Sequence, residues 1–277
     1  MRALSDELAS AIIRLREAGV DTPQLDAQLM MAYALGCSRL DVIAHPERIL
    51  TTTEETAFHR ALDRRAARYP LAYILGRKEF FGLEIDVSPA VLIPRPETEI
   101  LVEECLKRVG EEPLIADVGT GSGAIAVALA VRIPKARIWA TDTSEEALKV
   151  ARANSQKHGV ATRVSIVRGD LLEPLIRAEL QFAAVVSNPP YIPSAVIESL
   201  ESEVRCEPAC ALDGGADGLD AYRRLFPQAV GCTTFMAVEI GIGQADPVTQ
   251  IAREAGWADV EIVRDLAGIE RVVVARR

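Results

Sequence analysis

Several residue types that build reactive or metal-binding sites are scarce in this chain of 277 residues. Histidine occurs only three times, and the five cysteines are scattered and lack the nearby partners that would complete a four-ligand zinc site. No apolar run free of charge reaches the roughly 18 residues needed to span a bilayer, and no secretory leader is apparent. We therefore expect no metal, no membrane contact, and reduced thiols in a cytoplasmic protein.

Basic residues are also fewer than acidic residues. The chain has 31 lysines and arginines against 40 aspartates and glutamates, a formal net charge of -9. Proteins that bind nucleic acid by neutralising phosphates usually carry a basic face or stripe. We therefore expect no direct nucleic-acid partner, and we interpret the cluster of Arg60, Arg64, Arg65 and Arg68 as a solvated helix face.

The hydrophobic pattern divides the chain into three parts. Residues 1–76 show apolar side chains at helical spacing, which predicts a small α-helical bundle. The alternating run 83–87 and the apolar run 91–93, separated by a Ser-Pro breaker, predict a β-hairpin linker over residues 77–95. Residues 96–277 form the third and largest part.

Short β-rich runs alternate with helical patterns beyond position 110, which predicts a doubly wound α/β sheet. The stretch between the last two runs is too short for a helical crossover, so these strands should pair antiparallel. A seven-stranded sheet with an antiparallel last strand resembles the Rossmann-like class I methyltransferases. The predicted strands are 114–118, 137–141, 164–167, 182–187, 235–239, 260–263 and 271–275.

A glycine-rich turn, residues 119–123, follows the first of these strands and opens a helix. Glycines there let the backbone approach a ligand, although such turns also simply join strand to helix. Asp142 ends the second strand, where it can bind the hydroxyls of a ribose or equally cap the next helix. Asp170 ends the third strand, where it faces the same crevice or caps a short turn, and Leu171 is placed to pack on adenine. The predicted cofactor-binding residues are Gly119, Thr120, Gly121, Ser122, Gly123, Asp142, Asp170, Leu171 and Asn188.

The segment Asn188-Pro189-Pro190-Tyr191 directly follows the strand 182–187, at the same edge of the sheet as the glycine turn. The Asn188 side-chain carbonyl and the Pro189 backbone carbonyl offer two acceptors for one NH2 group. Such binding aligns the lone pair of a planar amide-type nitrogen with a sulfonium methyl, so no strong base is needed. We predict catalytic roles for Asn188, Pro189 and Tyr191, with Pro190 also binding the acceptor and Tyr191 stacking on it. A rigid turn after a strand is the plain alternative.

Five further segments make the family resemblance more specific: PLAYILG (70–76), EFFGL (79–83), LIPRPETE (92–99), EP (207–208) and GGADGL (214–219). Together with the glycine turn and NPPY, they resemble the HemK/PrmC family over nearly the whole chain. Ser122 stands where many members have threonine.

The resemblance implies S-adenosylmethionine as methyl donor and N5-methylation of the glutamine in the Gly-Gly-Gln motif of peptide chain release factors. It implies that the donor lies on residues 119–123, Asp142, Asp170 and Leu171, and that NPPY holds the glutamine amide. Arg95 with Glu97 should line the approach, and residues 1–76 should help to recognise the protein substrate.

Two other functions are compatible with parts of the pattern. A DNA adenine-N6 methyltransferase presents the same NH2 geometry to an Asn-Pro-Pro-Tyr motif, but the chain is acidic and has little room for a base-recognition domain. The second is a noncatalytic, translation-associated module that binds S-adenosylmethionine. Such a module would not need two hydrogen-bond acceptors directed at one NH2 group. We expect a monomer, because an enzyme that acts on one protein substrate requires nothing more.

Overall fold

The computed structural model describes residues 3–277, which form two compact units. The first unit runs to Gly76 and includes the later segment Glu201–Cys206, and the second comprises Arg77–Leu200 and Glu207–Arg277. No helix in this described part of the chain combines the length and apolar character needed to cross a bilayer.

The first unit is helical, as its apolar spacing predicts, and its helices begin and end at residues suited to those positions. Pro23 occupies the first turn of the second helix, which ends at Gly36 in the left-handed conformation. Thr51 and Glu54 form a capping box at the start of the fourth helix. The helices are α1 (Leu4–Glu17), α2 (Pro23–Leu35), α3 (Arg39–Ala44), α4 (Thr52–Ala66), α5 (Leu71–Leu75) and, from the later segment, α10 (Ser202–Arg205).

The expectation that the arginine cluster is solvated is wrong for Arg65. Its side chain is buried, and its Nε donates to Asp26 Oδ2 at 2.7 Å while Nη1 donates to Glu203 Oε1 at 2.9 Å. Arg60 and Arg64 are exposed. Helical periodicity does not reveal the difference, because the partners of Arg65, Asp26 and Glu203, come from distant parts of the chain.

The second unit begins with a β-hairpin whose position differs from the prediction. Strands β1 (Arg77–Phe80) and β2 (Leu83–Asp86) pair antiparallel, whereas residues 91–93 form no strand. Phe81 and Gly82 both have positive φ, 54° and 76°, as a two-residue hairpin turn of the favoured hand requires. The partner of β2 is therefore the segment before it.

A seven-stranded sheet forms the body of the second unit, with the strand order β5-β4-β3-β6-β7-β9-β8. All adjacent pairs are parallel except those of β9, which is antiparallel to both β7 and β8, as predicted for the last strand. The strands are β3 (Leu114–Val118), β4 (Arg137–Asp142), β5 (Val164–Arg168), β6 (Ala184–Ser187), β7 (Phe235–Glu239), β8 (Asp259–Arg264) and β9 (Glu270–Arg276).

Helices connect these strands and cover both faces of the sheet. A buried cluster that includes Tyr222, Phe226 and Trp257 packs on one face, together with residues of the central strands. The helices are α6 (Thr98–Arg108), α7 (Ala124–Arg132), α8 (Glu145–Lys157), α9 (Glu173–Arg177), α11 (Ala209–Leu212), α12 (Asp220–Val230) and α13 (Ala245–Glu254), with a 3-10 helix at Ser194–Ser199.

The chain order of the strands reverses between β3 and β6. From β3 the chain moves outward through β4 to β5, and then returns to place β6 on the other side of β3, with Val118 opposite Ser187. A crevice opens at the carboxyl ends of strands where the order reverses in this way. The glycine turn follows β3 and Asn188 follows β6, so both lie at this crevice.

Candidate active site

A cavity of about 570 Å³ lies at the point where the strand order reverses. Its wall contains Gly119, Thr120, Gly121, Ser122, Asp142, Asp170, Leu171, Asn188 and Pro190. The other predicted site residues, Gly123, Pro189 and Tyr191, are not part of that wall, and neither are Arg95 and Glu97. The cavity therefore brings most of the predicted donor residues together with the amide-bearing residue of the NPPY segment.

The glycine turn is held by backbone hydrogen bonds and by a buried carboxyl group. The N–H groups of Gly119 and Thr120 both donate to the Thr141 carbonyl at 2.9 Å. Asp117 Oδ2 accepts from the Thr120 hydroxyl at 2.6 Å and from the Ala126 N–H at 3.1 Å. Burial raises the pKa of Asp117 to about 7. The turn is thus fixed both to β4 and to the first turn of α7.

Gly123 serves a packing role in this turn. It precedes α7 with φ of 79°, and a Cβ at this position would lie 3.0 Å from the Ala151 Cβ and 3.1 Å from its Cα. Only glycine fits both the backbone conformation and this close approach of α7 to α8.

Asp142 connects the glycine turn to the start of α8. Its Oδ2 accepts from the Gly121 N–H and its Oδ1 from the Ser144 N–H, each at 2.9 Å. Ser144 itself caps α8, since its hydroxyl accepts from the Ala147 N–H at 3.2 Å. The carboxylate of Asp142 is therefore not the cap, and it lies in the cavity wall.

Leu171 and Asp170 form the part of the wall that follows β5. Leu171 has a positive φ of 49°, and the buried Thr141 hydroxyl donates to its carbonyl at 2.9 Å. This bond holds a conformation that branched or bulky residues rarely adopt. Asp170 forms an ion pair with Arg224, and Arg224 also lines the cavity.

Asn188 lies partly buried at the end of β6, with its amide group oriented by a neighbouring hydroxyl. Nδ2 donates to Thr98 Oγ1 at 3.1 Å. The Oδ1 atom is then the part of this amide that can accept a hydrogen bond from a ligand. Such an orientation suits a ligand group that donates a hydrogen bond.

Tyr191 is anchored away from the cavity wall. Its hydroxyl donates to Glu239 Oε1 at 3.3 Å, and its carbonyl accepts from Gln244 Nε2 at 2.9 Å. Burial raises the pKa of the Tyr191 phenol. These contacts fix the backbone of the NPPY segment, and the stacking of Tyr191 on an acceptor stays a prediction.

Arg95 does not line the cavity; it forms an ion pair with the buried Glu207. Glu207 Oε2 also accepts from the Ile93 N–H at 2.9 Å, and Arg95 Nη1 donates to the Ile93 carbonyl at 3.0 Å. The pair ties the segment before α6 to the segment before α11. Both segments contribute to the wall, through Pro94 and Pro208 among others.

Comparison with known proteins identifies the family. Residues 6–76 match the model of the PrmC N-terminal domain, and residues 96–202 match the methyltransferase small domain. The release factor glutamine methyltransferase of Moorella thermoacetica is 45% identical over 280 residues, which cover 99% of this chain and 98% of the relative. That of Geobacter sulfurreducens is 42% identical, covering 95% and 92%. The chain belongs to the release factor glutamine methyltransferase family.

Solved structures at lower identity share the fold. The hMettl16 catalytic domain in complex with MAT2A 3'UTR hairpin 6 superposes with a TM-score of 0.61 at 17% identity, covering 78% of this chain and 81% of that one. The human METTL16 N-terminal domain in complex with SAH gives 0.55 at 17% identity, covering 89% and 94%. The predicted Rossmann-like methyltransferase fold and the predicted family are confirmed.

Several residues that shape this site carry no sequence signal that identified their role. Thr98 and Glu239 support the NPPY segment, Thr141 supports Leu171, and Asn154 holds Ser122. Thr98 lies in the LIPRPETE segment and is the first residue of α6. Only the three-dimensional neighbours of these side chains reveal what they do.

Proposed function

We propose that this chain transfers the methyl group of S-adenosylmethionine to the side-chain amide nitrogen (N5) of the glutamine in the Gly-Gly-Gln motif of peptide chain release factors. The observation that carries this proposal is the orientation of the Asn188 amide, whose Nδ2 is engaged by Thr98 and whose Oδ1 is left to accept. A hydrogen-bond acceptor beside the glycine turn is suited to bind the NH2 group of a substrate.

The cavity fits the proposed methyl donor. Its volume of about 570 Å³ falls in the range of small-molecule sites, and its wall combines apolar contacts with two carboxylates at strand ends. We infer that Asp142 accepts hydrogen bonds from the ribose hydroxyls, that Leu171 packs on adenine, and that the glycine turn lets the backbone approach the ligand. S-adenosylmethionine supplies an electrophilic methyl group carried on a sulfonium.

The residues of the NPPY segment orient the nitrogen that accepts this methyl group. An amide nitrogen is a weak nucleophile because its lone pair is delocalised. Asn188 Oδ1 and the Pro189 carbonyl accept its two hydrogens, which aligns the lone pair and stabilises positive charge as it develops on nitrogen. The proton leaves after transfer, so no strong general base is required.

The remaining assignments concern partners and domain roles. We infer that the helical domain, residues 1–76, recognises the protein substrate and that residues 96–277 carry catalysis, with the hairpin region 77–95 between them. We infer further that the enzyme is a cytoplasmic monomer that binds no nucleic acid directly. The excess of acidic residues supports the last point.

The test is methyl transfer from labelled S-adenosylmethionine to purified release factor, compared with a release factor in which the tip glutamine is replaced by alanine. Asn188→Ala enzyme and unmethylated DNA complete the experiment. We expect label on the intact release factor alone, and its loss with Asn188→Ala. Label on DNA, or on the alanine variant of the release factor, would overturn the substrate assignment.

A further inference from the structure

The side chain of Gln244, which lies between β7 and α13, binds three separate backbone groups beside the NPPY segment. Its Nε2 donates to the Tyr191 carbonyl at 2.9 Å and to the Gly218 carbonyl at 3.3 Å, and its Oε1 accepts from the Gly241 N–H at 2.9 Å. Both hydrogens of one amide group are thus engaged by carbonyl oxygens. Gln244 therefore joins the last residue of NPPY to the GGADGL segment and to the end of β7.

Two glycines allow these backbone segments to approach Gln244 and Tyr191 closely. A Cβ at Gly218 would lie 2.3 Å from the Tyr191 carbonyl oxygen, and the φ of 78° at this position is in the region that favours glycine. A Cβ at Gly241 would lie 2.9 Å from Gln244 Oε1 and 3.1 Å from Tyr191 Cδ2. Neither position can therefore carry a side chain while Gln244 contacts Tyr191.

The Pro189 carbonyl, the second acceptor in the proposed mechanism, is a backbone group that no side-chain rotation can reorient. None of the residues that the structure describes donates a hydrogen bond to it. The rings of Pro189 and Pro190 each lock φ, so few rotations remain within the NPPY segment. The direction of the Pro189 carbonyl consequently depends on how the two ends of this segment are fixed.

Both ends of the NPPY segment are fixed. Ser187, the residue before it, belongs to β6 and is held in the sheet. At the other end, Gln244 binds the Tyr191 carbonyl. The next residue, Ile192, forms a parallel bridge with Asp213. Gln244 is thus the side chain that binds the backbone at the point where NPPY ends.

We propose that Gln244 is a positioning residue, which acts through the Tyr191 carbonyl to direct the Pro189 carbonyl toward the acceptor nitrogen. Gln244 itself is not part of the cavity wall, so it acts on the substrate only through the NPPY backbone. This assignment rests on the proposed function of the NPPY segment.

The first measurement is the turnover of Gln244 variants at saturating donor and release factor. Gln244→Met keeps the length of the side chain but loses its three hydrogen bonds, and we expect kcat to fall on the order of tenfold. Gln244→Glu keeps an acceptor for the Gly241 N–H but places a carboxylate against two carbonyl oxygens, so it should lower kcat at least as much. The dissociation constant for S-adenosylmethionine should be unchanged in both variants.

Gln228→Met is the matched control for a general loss of stability. Gln228 is a partly buried glutamine on α12, and its Oε1 accepts from the Leu172 N–H, in the segment after β5, at 3.0 Å. This variant also removes a side-chain amide that binds the backbone, but it should keep the wild-type kcat at saturating donor. Denaturant unfolding of both methionine variants compares the stability that each has lost.

Gly218→Ala tests the position of the Tyr191 carbonyl without changing Gln244. The new Cβ would lie 2.3 Å from that carbonyl oxygen and 2.7 Å from Gln244 Nε2, so it must displace them. We expect kcat to fall on the order of tenfold here as well. Gly268→Ala is the control for backbone strain, because its φ of 80° is similar but no atom lies within 4 Å of the new Cβ. It should keep the wild-type kcat.

The possible outcomes separate the positioning role from the proposed function. Wild-type kcat in Gln244→Met, or an equal loss of kcat in Gln228→Met, would overturn the positioning role while the wild-type enzyme still methylates release factor. A loss in Gln244→Met that saturating donor abolishes would also overturn it, since the defect would then lie in donor binding. A wild-type enzyme that never methylates release factor would overturn the proposed function and this assignment with it.

Discussion

Asn154 on α8 donates from Nδ2 to the carbonyl of Ser122, at 2.8 Å, and so holds the glycine turn in place. The same amide also binds the backbone of Asp86 at the end of β2, donating to its carbonyl at 2.9 Å and accepting from its N–H at 2.8 Å. The Asn154 side chain is fully buried. One amide therefore fastens together the hairpin, the helix and the turn that faces the cavity.

Replacing this amide tests how strongly the turn depends on it. We expect Asn154→Ala to lower the free energy of unfolding by about 2–4 kcal/mol, because it leaves the buried Ser122 carbonyl and the two partly buried backbone groups of Asp86 without this partner. The affinity for S-adenosylmethionine should fall as well. Denaturant unfolding and isothermal titration measure the two effects, with the exposed Gln156→Ala on the same helix as control. Equal stability of the two variants would contradict the expectation.

Gly123→Ala tests the packing role of the last glycine in the turn. The new Cβ would meet Ala151 at 3.0 Å, and the positive φ of 79° adds backbone strain, so we expect a loss of about 2–4 kcal/mol. Gly159→Ala provides the control, because its φ of 68° is similar but no atom lies within 4 Å of the new Cβ. Its loss should be smaller, about 1 kcal/mol. If thermal unfolding shows the same loss of stability in both variants, the contact with Ala151 does not contribute to the loss in Gly123→Ala.

Asp142→Ala separates donor binding from chemistry. The variant removes the carboxylate that we assign to the ribose, together with its bond to the Gly121 N–H. We expect the dissociation constant for S-adenosylmethionine to rise on the order of tenfold or more, while kcat at saturating donor falls less. Glu146→Ala, which removes an exposed carboxylate from nearby α8, should change neither value. A variant with unchanged donor affinity would refute the ribose assignment.

The stability of the enzyme should decline as pH rises toward 7, because of Asp117. Burial raises the pKa of this carboxyl from 3.8 to about 7, so between these values the folded state holds a proton that the unfolded state has lost. The unfolded state binds fewer protons in that window, and stability therefore falls with rising pH until about 7 and then levels off. Glu239 acts in the same direction.

Asp117→Asn removes one of these two titrations. We expect the difference in unfolding free energy between about pH 5 and about pH 8 to shrink in this variant, with the part due to Glu239 remaining. The exposed Asp246→Asn alters net charge equally and should keep the full wild-type difference. A slope in Asp117→Asn as steep as in the wild type would mean that Asp117 does not titrate in this range.

The hydrophobic pattern alone was sufficient to predict the architecture. Period-two runs separated by helical runs allow few arrangements, because strands must pair, helices must cover them, and a short last connection forces antiparallel pairing. The same rules predicted that the glycine turn after β3 and the NPPY segment after β6 lie close together, because the carboxyl ends of parallel strands meet at one edge of the sheet. The hairpin was misplaced because the true partner of β2, Arg77–Phe80, has three charged residues and only one apolar one, whereas residues 91–93 are all apolar.

What only the tertiary structure decided was the set of side chains that orient the site. Thr98, Asn154 and Glu239 are separated from the residues they support by 32 to 90 positions, so no local periodicity links them. Burial determined the rest: the Asp117 side chain is fully buried, and this burial raises its pKa to about 7. A sequence specifies which groups are present, but their charge and direction depend on the neighbours that folding brings and the water that folding removes.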